Sequence, residues 1–140
     1  MPTKDIPEST KTGLRKGRNI LVVEDNGTNR LVLSHKLSKM GFEVCCAENG
    51  LEAIKFLDRV HIDLILMDVS MPVMDGLEAT RRIRQRESND SSVSIVGFSA
   101  HNHAEVRGMC IDAGMDDFLC KPATDEHMFD KLNRILTTSG

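Results

Sequence analysis

Two unbroken aliphatic runs, Ile20-Leu21-Val22-Val23 and Leu64-Ile65-Leu66-Met67, interrupt a chain whose other apolar residues mostly recur every three or four positions. Short apolar runs bounded by polar residues read as buried strands, and the longer spacing reads as helix faces turned toward a core. On that basis strands are predicted at Asn19–Glu24, Val44–Ala47, Asp63–Asp68, Val93–Phe98 and Asp117–Cys120. The first intervening helix is capped by Asn26, carries a stripe of Leu33, Leu37 and Met40, and stops at Gly41. A second runs from Gly50 to about Arg59 on Ala53, Ile54 and Leu57. Leu77, Thr80 and Ile83 mark a third, which ends near Arg86 before the polar loop Glu87–Ser92. The fourth spans about His103 to Ala113 and stops at Gly114. Thr124 caps the last, whose first turn holds Asp125 and Glu126, the charge sign a helix N-terminus favours. Its inner face is expected to be Met128, Leu132 and Ile135.

Strands that are apolar on both faces must be covered on both sides, which points to a parallel sheet flanked by helices. Five right-handed strand–helix units make an open α/β sandwich. In such sheets ligands bind beyond the carboxyl ends of the strands, where strand order reverses. The 140 residues suit one domain, placed at 19–138, with residues 1–18 as a flexible basic tail or linker. No apolar run approaches the ~20 residues of a membrane span, and no secretory h-region is visible.

Charge is unevenly spread. Lys4, Lys11, Arg15, Lys16 and Arg18 outnumber Asp5 and Glu8 by three, so the rest of the chain carries −6 within a total of −3. An acidic body argues against direct nucleic-acid binding, which rests on neutralising phosphates. Cys45, Cys46, Cys110 and Cys120 form no CxxC pair and lie in apolar segments, so they are read as reduced core residues of an intracellular protein.

The strand ends carry the chemistry. The first closes on Glu24-Asp25, the third on Asp68, the fourth on Ser99-Ala100 and the fifth on Lys121-Pro122. If the first and third strands are neighbours, three carboxylates, a hydroxyl and an ammonium converge. Carboxylates so grouped raise one another's pKa. A hard cation relieves this, and an all-oxygen site suits Mg2+. The cation and Lys121 would keep Asp68 ionised and able to act as a nucleophile. Taken singly, each residue is ordinary: Asp25 adjoins a helix cap, Ser99 is a small loop residue and Lys-Pro is a common strand exit. Their joint occurrence at four strand ends is the signal.

Leu21-Val22-Val23-Glu24-Asp25-Asn26, Asp68-Val69-Ser70-Met71-Pro72-Val73-Met74-Asp75-Gly76, Phe98-Ser99-Ala100 and Phe118-Leu119-Cys120-Lys121-Pro122 resemble the receiver domain of two-component response regulators. The resemblance implies a flavodoxin-like (βα)5 doubly wound parallel sheet with strand order 2-1-3-4-5. It implies that Asp68 is the phosphoacceptor, in a Mg2+-dependent reaction. Glu24, Asp25, Asp68 and the backbone carbonyl of Ser70 would be the metal ligands, and Lys121 would pair with phosphoryl oxygens. The Lys121-Pro122 peptide would be cis, Ser99 would be the switch hydroxyl and Phe118 the switch aromatic. Ser stands where Thr is commoner and Phe where Tyr is commoner, so outputs needing a Tyr hydroxyl are in question. Ser99 turning inward would open space for the Phe118 ring and so change the face formed by the fourth helix, fifth strand and fifth helix. By the same resemblance, Ser70 and His101 would flank the approach of a hydrolytic water.

The implied partner is a histidine kinase or a histidine phosphotransfer protein, and the chain is expected to be a monomer or weak dimer. Asn29 and Gly114-Met115-Asp116-Asp117 look like the hybrid histidine kinase type, with the basic tail as an interdomain linker. No output domain is expected after the fifth helix, and the location implied is cytoplasmic, as a regulator or as the cytosolic part of a membrane-bound hybrid kinase. The chain would then be a signalling phosphoacceptor and not an enzyme acting on a separate substrate. A phosphorylation-independent interaction module is the alternative. A haloacid-dehalogenase-type phosphatase would need an acid where Ser70 stands, and a flavodoxin would not place Glu24-Asp25 against a phosphate. No GxGxxG or GxxxxGK[ST] occurs. His101, His103 and Cys110 lack a metal-site spacing and are read as loop and cap residues. Met40, Met67, Met109 and Met128 are assigned to core faces, Met71 and Met74 to the rim of the site. Arg81, Arg82, Arg84 and Arg86 read as a solvated basic face.

Overall fold

Five parallel strands in the order β2-β1-β3-β4-β5 form one sheet in the computed structural model. It describes residues 19–69, 75–86, 93–99, 104–121 and 123–139. The elements follow the chain as β1 (Asn19–Val23), α1 (Gly27–Lys39), β2 (Glu43–Ala47), α2 (Gly50–Leu57), β3 (Leu64–Asp68), α3 (Gly76–Arg86), β4 (Ser94–Ser99), α4 (Ala104–Ala113), β5 (Asp117–Cys120) and α5 (Asp125–Ser139). The alternation and the order 2-1-3-4-5 are those expected. Residues 1–18, Ser70, Met71, Met74, His101, His103 and Pro122 lie outside the described residues.

The period of two along each strand builds two cores. Leu21, Val23, Ile65, Met67 and Ile95 pack with Ala53 of α2, Leu77 and Ile83 of α3, and Cys110 of α4. Ile20, Val22, Leu64, Leu66 and Val96 pack on the other face with Leu33 and Leu37 of α1 and Met128 and Leu132 of α5. Each fully buried aliphatic side chain contributes about 1.5–3 kcal/mol. The continuous runs of β1 and β3 are explained by burial from both sides.

The expected stops and caps are present. Asn26 Oδ1 accepts from Asn29 N at 2.9 Å, and Thr124 Oγ1 from His127 N at 3.1 Å. Gly41 and Gly114 take φ of 101° and 115°, which side-chain-bearing residues rarely adopt. Several core assignments shift. Leu136, not Ile135, completes the buried stripe of α5, and Ile135 is only half-buried. Met109 is 46% exposed, because Val106, Cys110 and Ala113 turn the inner face of α4 about one residue away from it. Met40 is half-buried, as are Cys45, Cys46 and Cys120; all four cysteines are free.

The basic run of α3 is not a uniformly solvated face. Arg81 and Arg82 do pair with Glu78 at the surface, and Arg86 reaches Asp58 and the carbonyl of Ile54. Arg84 is different. Its Nε donates to the Gly114 carbonyl at 2.8 Å, Nη1 to the Val93 carbonyl at 2.6 Å and Nη2 to Asp116 Oδ2 at 2.8 Å. Asp116 Oδ2 also accepts from Ile95 N at 2.8 Å. One guanidinium thus ties α3 to the start of β4 and to the α4–β5 turn.

Candidate functional site

The carboxyl ends of β1, β3, β4 and β5 meet along one rim of the sheet. Asp68 ends β3 in register with Phe98 of β4, and Lys121 N donates to the Ser99 carbonyl at 2.7 Å just past β5. Glu24 continues β1 by one residue, its N donating to the Ala47 carbonyl at 3.1 Å. Counting by twos from Val22, Leu66, Val96 and Leu119 puts Glu24, Asp68, Phe98 and Lys121 on the α1/α5 face.

Carboxylate oxygens of Glu24, Asp25 and Asp68 all lie within 4.8 Å of one another. Glu24 and Asp68 are buried, at 2% and 7% exposure, while Asp25 is exposed. Burial of a carboxylate demands partners. Glu24 has them: Lys121 Nζ lies 3.4 Å from its Oε1, and Asn26 N donates to its Oε2 at 3.2 Å. Its carbonyl accepts from Arg30 Nη1 at 2.9 Å. Three carboxylates against Lys121 and the nearby Arg30 still leave the rim negative, and every donor these carboxylates offer is oxygen. That set fits a hard divalent cation with one open, exposed ligand in Asp25.

Gly76 closes the site from behind. Its N donates to the Val69 carbonyl at 3.0 Å, and Thr80 Oγ1 donates to its carbonyl at 2.7 Å. A Cβ placed on Gly76 would stand 2.4 Å from the Asp68 carbonyl oxygen, so only glycine lets α3 begin against the β3 terminus. Asp75 caps that helix, its Oδ1 accepting from Glu78 N at 2.9 Å.

Ser99 is buried at 5% exposure and, by the alternation of β4, faces the same side as Gly97. Phe118 pairs with Gly97 and is 1% exposed. A Cβ on Gly97 would meet Met115 Sδ at 2.6 Å and the Phe118 ring at 3.3 Å. The Arg107 guanidinium covers that ring, 5.6 Å from its centroid. The ring expected to move inward is therefore already packed under β4. Burial pushes the thiol of Cys110, beside Gly97, above its ordinary value.

The structure thus gathers Glu24, Asp25, Asp68 and Lys121, with Ser99 at the adjoining end of β4 but, like Phe118, directed to the opposite face of the sheet. Ser70 lies outside the described residues. Sequence reasoning passed over Arg30, and it quoted Phe98 and Gly76 within the motifs without giving either a role. For Gly76, the hints were that motif and its place after the loop that leaves Asp68.

The response regulator receiver domain model matches residues 20–133. The CAI-1 autoinducer sensor kinase/phosphatase CqsS of Vibrio cholerae is 38% identical over 84% of this chain and 17% of that protein. The sensor histidine kinase RcsC of Escherichia coli is 40% identical over 75% of this chain and 11% of that protein. The chain therefore spans less than a fifth of the length of either relative. Among solved structures, the receiver domain of the Pseudomonas aeruginosa sensor histidine kinase PA1611 overlays with a TM-score of 0.78 at 37% identity, covering 86% of this chain and 98% of that one. That domain holds a magnesium ion coordinated in its active-site cleft.

Proposed function

The chain belongs to the response regulator receiver domain family, a class of signalling module, and from that premise we propose that it accepts a phosphoryl group on Asp68 in a Mg2+-dependent reaction. The observation that carries the proposal is the convergence of three carboxylates within 4.8 Å, with Lys121 Nζ 3.4 Å from Glu24. The donor is a phosphohistidine, on a histidine kinase or a histidine phosphotransfer protein. An Asp68 oxygen attacks phosphorus, the phosphorus–nitrogen bond to imidazole breaks, and that nitrogen takes a proton as neutral histidine leaves.

Glu24, Asp25 and Asp68, with the carbonyl of Ser70, would hold the cation, which when bound neutralises charge on the phosphoryl oxygens. Lys121 supplies the second positive charge against those oxygens and, with the cation, keeps Asp68 ionised. Buried Glu24 holds Lys121 in the cleft. Ser99 is the hydroxyl that turns toward the new phosphoryl group, and the face of α4, β5 and α5 reads out the change. Residues 19–138 act as the receiver unit and 1–18 as a basic tail or linker, in a cytoplasmic monomer or weak dimer. The named sensor kinases support placing the module in a hybrid histidine kinase pathway.

Intact-mass measurement after treatment with a small phosphodonor and Mg2+ tests the assignment. One phosphoryl group is expected on the wild type and none on Asp68→Asn. Equal loading of the variant would refute it. Asp25→Ala is expected to stay folded and load slowly, since Asp25 is exposed and contributes nothing to the core.

A further inference from the structure

We infer that Phe98 is a positioning residue for Lys121, its ring forming the floor that holds the ammonium over the sheet between β5 and Asp68; the inference rests on the phosphoacceptor reading above. Lys121 follows β5, whereas Glu24 follows β1, and β4 and β3 lie between them. Three strand spacings amount to roughly 14 Å. The 3.4 Å contact between Lys121 Nζ and Glu24 Oε1 therefore requires the lysine to lie down along the rim and cross the end of β4. The residue that β4 presents on that face is Phe98, in register with Asp68 itself.

The contact is direct. Lys121 Nζ stands 4.9 Å from the Phe98 ring centroid, within the reach of a cation–π attraction. The ring cannot swing away, because Phe98 is 6% exposed and packed in the α1/α5 core with Val96 and Leu119. The lysine side chain is 26% exposed, so without a floor its flexible stem has water to turn into. An aliphatic residue at this position would fill space but offer no negative ring face. Pre-placing the ammonium reduces the freedom lost when it engages a phosphoryl oxygen. In this account Phe98 acts through Lys121 and not on the incoming group.

Two measurements on the folded chain decide the matter. In the wild type, the Lys121 ε-methylene proton signals, assigned by their loss in Lys121→Arg, are expected upfield of other lysines because they lie over the ring. The shift is expected to vanish in Phe98→Leu and to persist in Phe98→Tyr. Affinity for beryllofluoride in the presence of Mg2+ is expected to fall about two- to fivefold in Phe98→Leu and to be restored in Phe98→Tyr. An unshifted lysine signal in the wild type overturns the inference without recourse to any variant. So does unchanged beryllofluoride affinity in a folded Phe98→Leu. A wild type that shows the shifted lysine yet binds no beryllofluoride would overturn the phosphoacceptor reading, and with it the role given to Phe98, while leaving the contact in place.

Discussion

Adding a single methyl group at Gly76 separates the packing of the site from its chemistry. A Cβ there would lie 2.4 Å from the Asp68 carbonyl oxygen and 3.0 Å from both Met67 Cγ and Val69 Cα. Contacts below 3.0 Å are essentially never made by real Cβ atoms, so the first turn of α3 and the end of β3 must part by about 0.6 Å. The obstacle is backbone, which cannot rotate aside. Overpacking of this kind costs about 1–3 kcal/mol, and a domain of this size loses about 3–4 °C in Tm per kcal/mol. Gly76→Ala is therefore expected to melt roughly 3–12 °C below wild type. The displaced peptide belongs to Asp68, and reactive groups must be held within about 0.5 Å of productive geometry. Phosphoryl loading from a small donor should accordingly slow by about tenfold. Gly108→Ala is the control, because a Cβ at that exposed position in α4 meets nothing within 4 Å. It should raise stability by about 1 kcal/mol through helix propensity alone. Thermal unfolding and time-resolved intact mass on the three proteins give both readouts. A Gly76→Ala protein that melts and loads like wild type would refute the close approach of α3 to Asp68.

Asn26→Ala removes the acceptor for Asn29 N and should cost about 1 kcal/mol in urea unfolding. Arg84→Met keeps the aliphatic stem but removes three hydrogen bonds, to the carbonyls of Gly114 and Val93 and to Asp116; a loss of about 1–3 kcal/mol is expected in the same assay. Cys110 is fully buried and its thiol is held above the ordinary 9.0 by desolvation, so it should resist alkylation in the folded protein. The folded state thus retains this proton more tightly than the unfolded one. Stability from this source is present below pH 9.0 and lost as pH rises above it, and Cys110→Ala should flatten the fall in unfolding midpoint on that side.

Strand positions were legible because burial from both faces leaves an unmistakable run such as Leu64–Met67, and the site was legible because parallel topology sends every strand end to one rim. Glu24, Asp68 and Lys121 could be named from position alone. Helix phase was less legible. In α4 the apolar residues Val106, Met109, Cys110 and Ile111 surround much of the helix, so one residue of error, a rotation of about 100°, exchanges an inner Met109 for an outer one. In α5 Ile135 and Leu136 are neighbours of equal hydrophobicity, and only packing against the sheet selects Leu136. Long side chains were least legible. Arg84 finds partners far along the chain, and nothing in a linear pattern distinguishes an arginine that pins two elements from one in water.

The guanidinium of Arg84 has a mechanical consequence for α4. It binds the Gly114 carbonyl, immediately past the helix, and so makes that end a fulcrum. The other end, Ala104, follows the segment that leaves Ser99. Ten residues give a lever about 15 Å long. A tilt of about 10° about that end would carry Ala104 about 2.6 Å. Under the proposed function, a displacement passed from the carboxylate rim to α4 would become an angle, felt almost whole by a partner seated on the first turn of that helix and hardly at all by one seated near Ala113.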